Sequence, residues 1–441
     1  MAAIATCLFL WNFFRFLLGK KRCKAKQSIL RQPRVYGTRR RLSERRRRLG
    51  GFQRRARVHM NQMNMLAVTL LQMPKSINRN VWARDRGNMF WEHTVNVTFT
   101  EREWKENFRM SKDSFNFLCN ILRPQLTRQE THLRHSITVE KQVAITLWFL
   151  GSGDSYRTIS HLFAVGRSTV STIVKRFVQA VVSRKNLFIK FPQDAELDRV
   201  IQGYANKWGF PNVGGAIDGT HIPIIAPPDS KGDYYNRKGW HSIQLQAVCN
   251  DRYHFTDIYI GWPGSVHDAR VFNNSLIQER GMDGNLFGQR VVNLGNNRNV
   301  PVSLIGDAAY PLSHFLIKPF NDNGRLSDEQ QHFNRCLSRA RMTIENSFGR
   351  LKGRWRCLMK RLDVGVSTLA ELILTCCILH NICEQEAEGF PDDWIRAVDE
   401  HNQAYPQPRN CAQRPPHNGI PLQGFNAGQN IRNALVQHLY P

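Results

Sequence analysis

The chain has 441 residues, 41% of them hydrophobic and 10% aromatic, a composition typical of globular proteins with room for two or three domains. Its 62 Lys and Arg against 35 Asp and Glu give a net charge of +27, which favours a polyanionic partner, nucleic acid first and an acidic membrane surface second. The ten scattered cysteines argue against a disulfide framework and favour reduced thiols in a nuclear or cytosolic protein.

The first 80 residues are predicted to form a basic, disordered arm. Its apolar stretch CLFLWNFFRFLL, residues 7–18, is too short to cross a bilayer, so we expect no membrane span. The sequence leaves three interpretations of this stretch: an irregular extension, an interfacial anchor or a targeting peptide. The run RRRLSERRRR at residues 39–48 indicates a nuclear localisation signal, a nucleic-acid arm or a solvated tail. We therefore expect the protein in the nucleus, with the cytoplasm as a second location.

Helical periodicity dominates the next part of the chain, and residues 81–205 are predicted to form an all-helical domain. Within it, residues 155–178 contain two short apolar patterns that meet at Gly166, which is typical of a helix-turn-helix. The second helix would present its first residues to a DNA groove and later cations to phosphates, although many helical hairpins bind nothing. The predicted DNA-contacting residues are Arg167, Ser168, Thr169, Lys175 and Arg176.

Strand-like alternation replaces the helical pattern after about residue 205, most clearly in SIQLQA at residues 242–247. Strands followed by helices predict an α/β domain at residues 206–386, with a mixed sheet flanked by helices. Residues 387–441 are rich in Pro, Asn and Gln and are predicted to be mostly irregular, with one short helix near the end.

Two acids of this domain stand at predicted strands. Asp218 interrupts the apolar stretch GGAIDGTHIPII, and Asp307 follows the apolar stretch VSLIG. Neighbouring strands lie about 4.8 Å apart, so acids on adjacent strands can share a site. The alternatives are local: Asp218 and Gly219 together are typical of a hairpin turn, and Asp307 could simply be a turn residue.

Two further acids stand at predicted helices. Glu345 shares a helix face with apolar residues, and Asp268 stands where a loop enters a helix. Here too the alternatives are structural, because Glu345 could pair with Arg341 one turn earlier and Asp268 could cap its helix.

Clustered carboxylates raise one another's pKa unless a cation lies between them, and their hard oxygen atoms suit Mg²⁺ or Mn²⁺. Two such ions could activate a nucleophile and stabilise the leaving oxygen of an in-line phosphoryl displacement. Cations follow in the same domain, where the alternative to phosphate binding is a solvated charged face. The predicted nucleic-acid contacts among them are Arg237, Lys238 and Lys352.

Several blocks of sequence, in order, resemble the nuclease domain of PIF/Harbinger transposases and of the Harbinger transposase-derived nucleases of animals. They are GAIDGTHIPI, YYNRKGWHSIQLQAVC, GWPGSVHDARVF, LIGDAAYPL, RARMTIENSFGRLKGRWRCL and CCILHNIC, and the resemblance covers about residues 100 to 385. It implies a ribonuclease-H-like fold whose DDE acids bind divalent metal and cut DNA. On this resemblance Asp218, Asp307 and Glu345 are the catalytic acids, and Asp268 is an additional metal ligand.

These observations predict a metal-dependent DNA endonuclease, and a transposase if cleavage is coupled to strand transfer. The alternative is a domesticated DNA-binding or regulatory protein that keeps the fold and has lost cleavage. The resemblance also implies a separate Myb-like DNA-binding partner protein, since transposases of this family commonly act with one. The oligomeric state is left open by the sequence.

Overall fold

The computed structural model describes residues 60, 87–130, 135–288, 290–295, 298–322, 324–362, 364–408 and 422–440. Residues 85–441 form one compact unit, and every element below belongs to it. The predictions for the basic arm, including its apolar stretch, lie outside the described residues.

In the region predicted to be all-helical, the regular elements that the structure describes are all helices, joined by short loops. The helix starts follow from side-chain caps: Thr100 forms a capping box with Glu103, and the Ser111 hydroxyl accepts a hydrogen bond from the Ser114 amide. After a π-helical segment at Phe90–Thr98 come α1 (Glu101–Phe108), α2 (Lys112–Leu126), α3 (Val139–Ser152), α4 (Tyr156–Leu162), α5 (Arg167–Val182), α6 (Lys185–Phe188) and α7 (Asp194–Trp208).

Helices α4 and α5 are the two short helices expected in residues 155–178. The chain turns between them, and α5 starts after Gly166, whose extended backbone offers no side-chain cap. One face of α5 is buried, including Val170, Ile173 and Phe177, while Arg167 and Lys175 are exposed. The geometry is that of two packed helices, and a DNA-binding role for them stays a prediction.

The sheet that follows has five strands in the order β3-β2-β1-β6-β7. Strand β1 pairs antiparallel with β2 and parallel with β6, so the sheet is mixed, as predicted. The remaining pairs are β2 with β3, antiparallel, and β6 with β7, parallel. The strands are β1 (Val213–Pro223), β2 (Ser242–Cys249), β3 (Phe255–Pro263), β6 (Ser303–Ile305) and β7 (Leu316–Ile317).

The hairpin-turn interpretation of Asp218 and Gly219 is wrong. Both residues lie inside the 11-residue strand β1 and pair with Ala247 and Gln246 of β2. Isolated Asp-Gly favours a turn, but here the apolar residues on both sides pair along one unbroken neighbour, and tertiary pairing overrides the local preference. Asp218 therefore lies in the middle of a strand.

Helices flank the sheet on the remaining chain. The long helix α10 (Asp328–Arg354) starts with a capping box formed by Ser327 and packs against β1, and α11 (Val366–Gln385) packs against β3. Within the described part of the chain, α11 has the length and apolar composition to span a bilayer, but most of it is buried inside the protein. Two shorter helices, α8 (Asp268–Asn273) and α9 (Leu276–Met282), follow β3.

The segment before β6 carries a small hairpin of β4 (Val291–Asn293) and β5 (Asn299–Pro301). One cluster of buried side chains draws on the helical region, the sheet and α11 together. The predicted domain boundary near residue 206 therefore crosses a shared core, and it stays a prediction.

The C-terminal tail differs from the prediction of mostly irregular structure. It contains α12 (Asp392–Ala404), which the sequence does not predict, and α13 (Leu422–Leu439), where the sequence predicts one short helix. Helix α12 is short of apolar residues, but Trp394 and Val398 stand one turn apart and are both buried, which is enough to fix it against the core. Composition alone hid this pattern.

Candidate active site

Asp218 and Asp307 lie side by side because of the register between β1 and β6. These parallel strands pair Ala216 with Ile305, and each acid comes two residues further along its own chain. Because neighbouring strands lie about 4.8 Å apart, the backbone positions of the two acids come close together at the same edge of the sheet. Each is partly fixed by the local backbone, since Asp218 accepts from the Gly219 amide at 2.8 Å and Asp307 from the Ala309 amide at 2.9 Å.

Asp268 lies against the same strand, beside Gly219. It is the first residue of α8 and is only 6% exposed. A Cβ added at Gly219 would stand 2.8 Å from Asp268 Oδ1, so the absence of a side chain at Gly219 gives this carboxylate its room. The sequence predicts Gly219 as a turn residue and gives no local sign of this spatial role.

Glu345 is linked to Asp218 by Arg341, which lies one turn before Glu345 on α10. Arg341 Nη1 donates to Asp218 Oδ2 at 2.7 Å, and Arg341 Nη2 donates to Glu345. Asp218 is 14% exposed and Glu345 is 49% exposed, so Glu345 stands at the open side of the cluster. The structural alternative for Glu345, a pair with Arg341, is thus present, and the same arginine joins Glu345 to the strand acid.

The four acids form one electrostatic group, which we call the acid cluster: Asp218, Asp268, Asp307 and Glu345. Burial raises the pKa of Asp218, and the neighbouring charges of Asp307 and Asp268 raise it further, while Arg341 and the Gly219 amide act in the opposite direction. The carboxylates therefore repel one another, and Arg341 supplies the compensating positive charge.

Among the described residues, no set of three His, Cys, Asp or Glu side chains stands close enough together to hold a metal ion. The chemistry of the donors nevertheless suits a hard divalent cation, because the cluster offers carboxylate oxygen atoms and no sulfur or imidazole. The space that Gly219 leaves beside Asp268 also keeps a carboxylate oxygen close to β1.

Lys352 does not face a phosphate as the sequence predicted. It is 2% exposed, and its Nζ donates to Thr220 Oγ1 at 2.7 Å and to the His221 carbonyl at 3.2 Å. Burial lowers the pKa of Lys352 to about 7. The Lys352 side chain faces β1 and so connects the helix that carries Glu345 to the strand that carries Asp218. The predicted contact of Lys352 with nucleic acid is therefore wrong.

The other predicted nucleic-acid contacts are accessible. Arg237 and Lys238 are exposed on the loop before β2, and Arg237 contacts the ring of His267, the residue before Asp268. The loop therefore brings cations to the edge of the acid cluster.

The predicted DNA contacts of the helical region lie on a different element, α5. Arg167, Ser168 and Lys175 are exposed, whereas Thr169 and Arg176 are partly buried. The Arg176 guanidinium donates to the Gln125 carbonyl at 2.9 Å. The structure thus leaves the start of α5 accessible and commits Arg176 in part to holding α2.

Comparison with known proteins matches the part of the chain that carries these acids. Residues 217–381 match a family described as DDE superfamily endonuclease, and residues 59–183 match a domain of unknown function. No solved structure matches the chain.

Three relatives show how far the similarity extends. The Arabidopsis thaliana protein named "Antagonist of Like Heterochromatin Protein 1" is 28% identical over 376 residues, covering 83% of this chain and 90% of the relative. The Arabidopsis thaliana "Protein ALP1-like" is 30% identical over 312 residues, covering 69% and 75%. The Homo sapiens "Putative nuclease HARBI1" is 29% identical over 273 residues, covering 60% and 73%.

The fold is a mixed five-stranded sheet flanked by helices, with one acid in β1 and another just after the neighbouring strand β6. Together with the matching family region, it defines a nuclease-type protein of the DDE superfamily. Within that superfamily, the chain belongs to the Harbinger-derived nucleases. The family resemblance inferred from the sequence is confirmed.

Proposed function

We propose that this protein is a divalent-metal-dependent DNA endonuclease that cleaves phosphodiester bonds by in-line displacement. The observation that carries the proposal is the register of the parallel strands β1 and β6, which brings Asp218 in β1 next to Asp307 just after β6, with Asp268 placed against β1 at Gly219. The name of the human relative, a nuclease, supports the same reaction class.

The acid cluster would hold Mg²⁺ or Mn²⁺ through the carboxylates of Asp218, Asp268, Asp307 and Glu345. When bound, such ions activate a nucleophile and stabilise developing negative charge on phosphate oxygen atoms. The chain's own groups do the remaining work. Lys352 and Thr220 hold α10 to β1, while exposed Arg237 and Lys238 attract the DNA backbone to the edge of the cluster.

DNA binding away from the cluster is proposed for α4 and α5 as a helix-turn-helix. The support is the exposure of Arg167, Ser168 and Lys175 along α5, while its apolar face is buried. Action on DNA implies work in the nucleus. A Myb-like partner protein enters the proposal through the family resemblance.

The test of cleavage is nicking of supercoiled plasmid by the full chain with Mg²⁺ or Mn²⁺. The proposal expects nicking by the wild type and a loss of at least about 100-fold for Asp307→Asn, because one missing metal ligand removes charge stabilisation of several kcal/mol. Asp283→Asn is the matched control, since Asp283 is an exposed acid at the end of α9. Equal nicking by wild type and Asp307→Asn would refute the assignment.

The test of DNA binding by α5 is the salt dependence of affinity for a DNA duplex. Removal of one phosphate contact by Lys175→Ala lowers the slope of log affinity against log salt by about one. Lys190→Ala, at an exposed lysine outside α5, serves as the control and keeps the wild-type slope. An unchanged slope for Lys175→Ala would remove α5 from the DNA interface.

A second function, DNA binding without cleavage, is favoured by one observation. Arg341 donates to both Asp218 and Glu345 and so links the two carboxylates through a protein cation. A protein that had lost cleavage would keep this ion pair as structure. It would bind DNA with the same affinity with and without divalent metal and would nick no plasmid.

A further inference from the structure

Tyr310 is a buried tyrosine at the point where the acid-bearing elements meet. Its side chain is 0% exposed, and its backbone amide donates to the Asp307 carbonyl at 3.3 Å. In the sequence it belongs to the stretch GDAAYPL.

The ring of Tyr310 contacts the elements that carry the other two buried acids. It meets Phe272 of α8, the helix that starts with Asp268, edge to face at a centroid distance of 5.4 Å. A Cβ added at Gly306 would stand 3.2 Å from this ring and 3.3 Å from Ile217, the neighbour of Asp218. The ring therefore fills the space between β1, α8 and the Asp307 turn.

The three aspartates of the acid cluster also act on the Tyr310 hydroxyl. Burial raises the pKa of Tyr310, and the charges of Asp268, Asp218 and Asp307 act in the same direction, while Arg341 opposes them. Yet the hydroxyl has no hydrogen-bond partner within the part of the chain that the structure describes.

An unpaired hydroxyl in a protein interior is unusual, because burying a donor without an acceptor has a free-energy cost. Acceptors are abundant here, since each ionised carboxylate has about four lone-pair positions. Carboxylates that ligate metals are in turn held by hydrogen bonds from a second set of groups, which orient them.

We propose that Tyr310 is a positioning residue of the metal centre, whose hydroxyl donates a hydrogen bond to a carboxylate of the acid cluster when a divalent ion is bound. This inference rests on the proposed function, because it requires the acids to hold a metal. The ring sets the spacing of three elements, and the hydroxyl orients a ligand that those elements bring together.

The experiment measures Mn²⁺ binding to the full chain by calorimetric titration, together with urea unfolding of the metal-free protein. Tyr310→Phe keeps the ring and removes the donor. We expect its Mn²⁺ affinity to fall about 10-fold, the lower end of the loss seen when such orienting groups are removed. Its unfolding midpoint without metal should stay at the wild-type value or rise, because no hydrogen bond is lost.

Tyr204→Phe is the matched control. Tyr204 is equally buried, but its hydroxyl donates to the Cys249 carbonyl at 3.1 Å. This variant should lower the unfolding midpoint of the metal-free protein and leave Mn²⁺ affinity unchanged. Tyr310→Phe is thus expected to change Mn²⁺ affinity without lowering stability, and Tyr204→Phe to lower stability without changing Mn²⁺ affinity.

The outcomes separate the inference from the proposed function. If the wild type binds Mn²⁺ and Tyr310→Phe binds it equally well, the inference is overturned and the metal-dependent function stands. If Tyr310→Phe instead lowers the metal-free unfolding midpoint as Tyr204→Phe does, Tyr310 has a merely structural role. If the wild type binds no Mn²⁺, both proposals fall.

Discussion

Replacing the buried Lys352 with Met should change how the stability of this protein depends on pH. Burial lowers the pKa of Lys352 from 10.5 in the unfolded chain to about 7 in the folded protein. Below pH 7 both states carry the proton. Between pH 7 and 10.5 the unfolded state binds more protons than the folded state, so stability rises with pH.

The size of the effect follows from the shift. Each pKa unit corresponds to about 1.4 kcal/mol, so the full difference between pH 7 and 10.5 reaches about 5 kcal/mol, and about 3 kcal/mol is available by pH 9.5. Hydrogen bonds from the ammonium to Thr220 and His221 oppose the shift, which makes these figures upper bounds. Lys352→Met also leaves those two acceptors without their donor, at a pH-independent cost of about 1–3 kcal/mol.

The assay is urea unfolding of wild type and Lys352→Met from pH 6 to 9.5, with the free energy of unfolding extrapolated to water. The wild-type value minus the variant value should grow more positive as pH rises. The exposed Lys190→Met provides the control, and its difference from wild type should stay flat. A wild-type minus Lys352→Met difference that does not change with pH would show that the Lys352 ammonium is solvated.

Three further changes test the acid cluster and its support. Gly219→Ala places a Cβ 2.8 Å from Asp268 Oδ1, so unfolding should become about 1–3 kcal/mol easier and calorimetric Mn²⁺ affinity should fall; Gly349→Ala, in open space on α10, should instead gain roughly 0.5–1 kcal/mol. Equal Mn²⁺ affinity of Gly219→Ala and wild type would contradict this. Arg354→Met leaves the buried Glu388 without its arginine partner and should lower the unfolding free energy by about 3–5 kcal/mol, whereas an unchanged urea midpoint would contradict a stabilising role for this ion pair. Burial raises the pKa of Asp218 to about 8, so calorimetric Mn²⁺ affinity should rise between pH 6 and 9 as the proton leaves, and a flat profile would argue against Asp218 as a ligand.

Much of the sheet could be predicted because its strands carry their pattern locally. The stretch at residues 242–247 alternates as a strand should, and β2 lies at Ser242–Cys249. Strand β6 is shorter than the apolar stretch that contains it, because pairing with β1 stops at Ile305 and the chain then leaves the sheet. Pairing partners set the ends of a strand, and they are not visible in the strand itself.

The candidate site was predictable in its acids and not in its arrangement. Carboxylates are rare within or next to apolar stretches of sequence, so Asp218 and Asp307 can be recognised as unusual from the sequence alone. The burial of Lys352 depends on the direction in which α10 crosses β1, and a lysine on a charged helix gives no local sign of that. The space at Gly219 likewise depends on where α8 begins, which is a tertiary fact.

The tail segment that follows α12 also covers part of the sheet. Beyond Ala216, strand β1 has a neighbour only on the β2 side among the described residues, and there the Gln407 side chain accepts hydrogen bonds from the His221 amide and the Thr220 hydroxyl. An open strand edge invites pairing with another chain. A fragment that ends with the family match at residue 381 would lack Gln407 and would leave this strand edge exposed. Self-association of such a fragment would then result from the truncation.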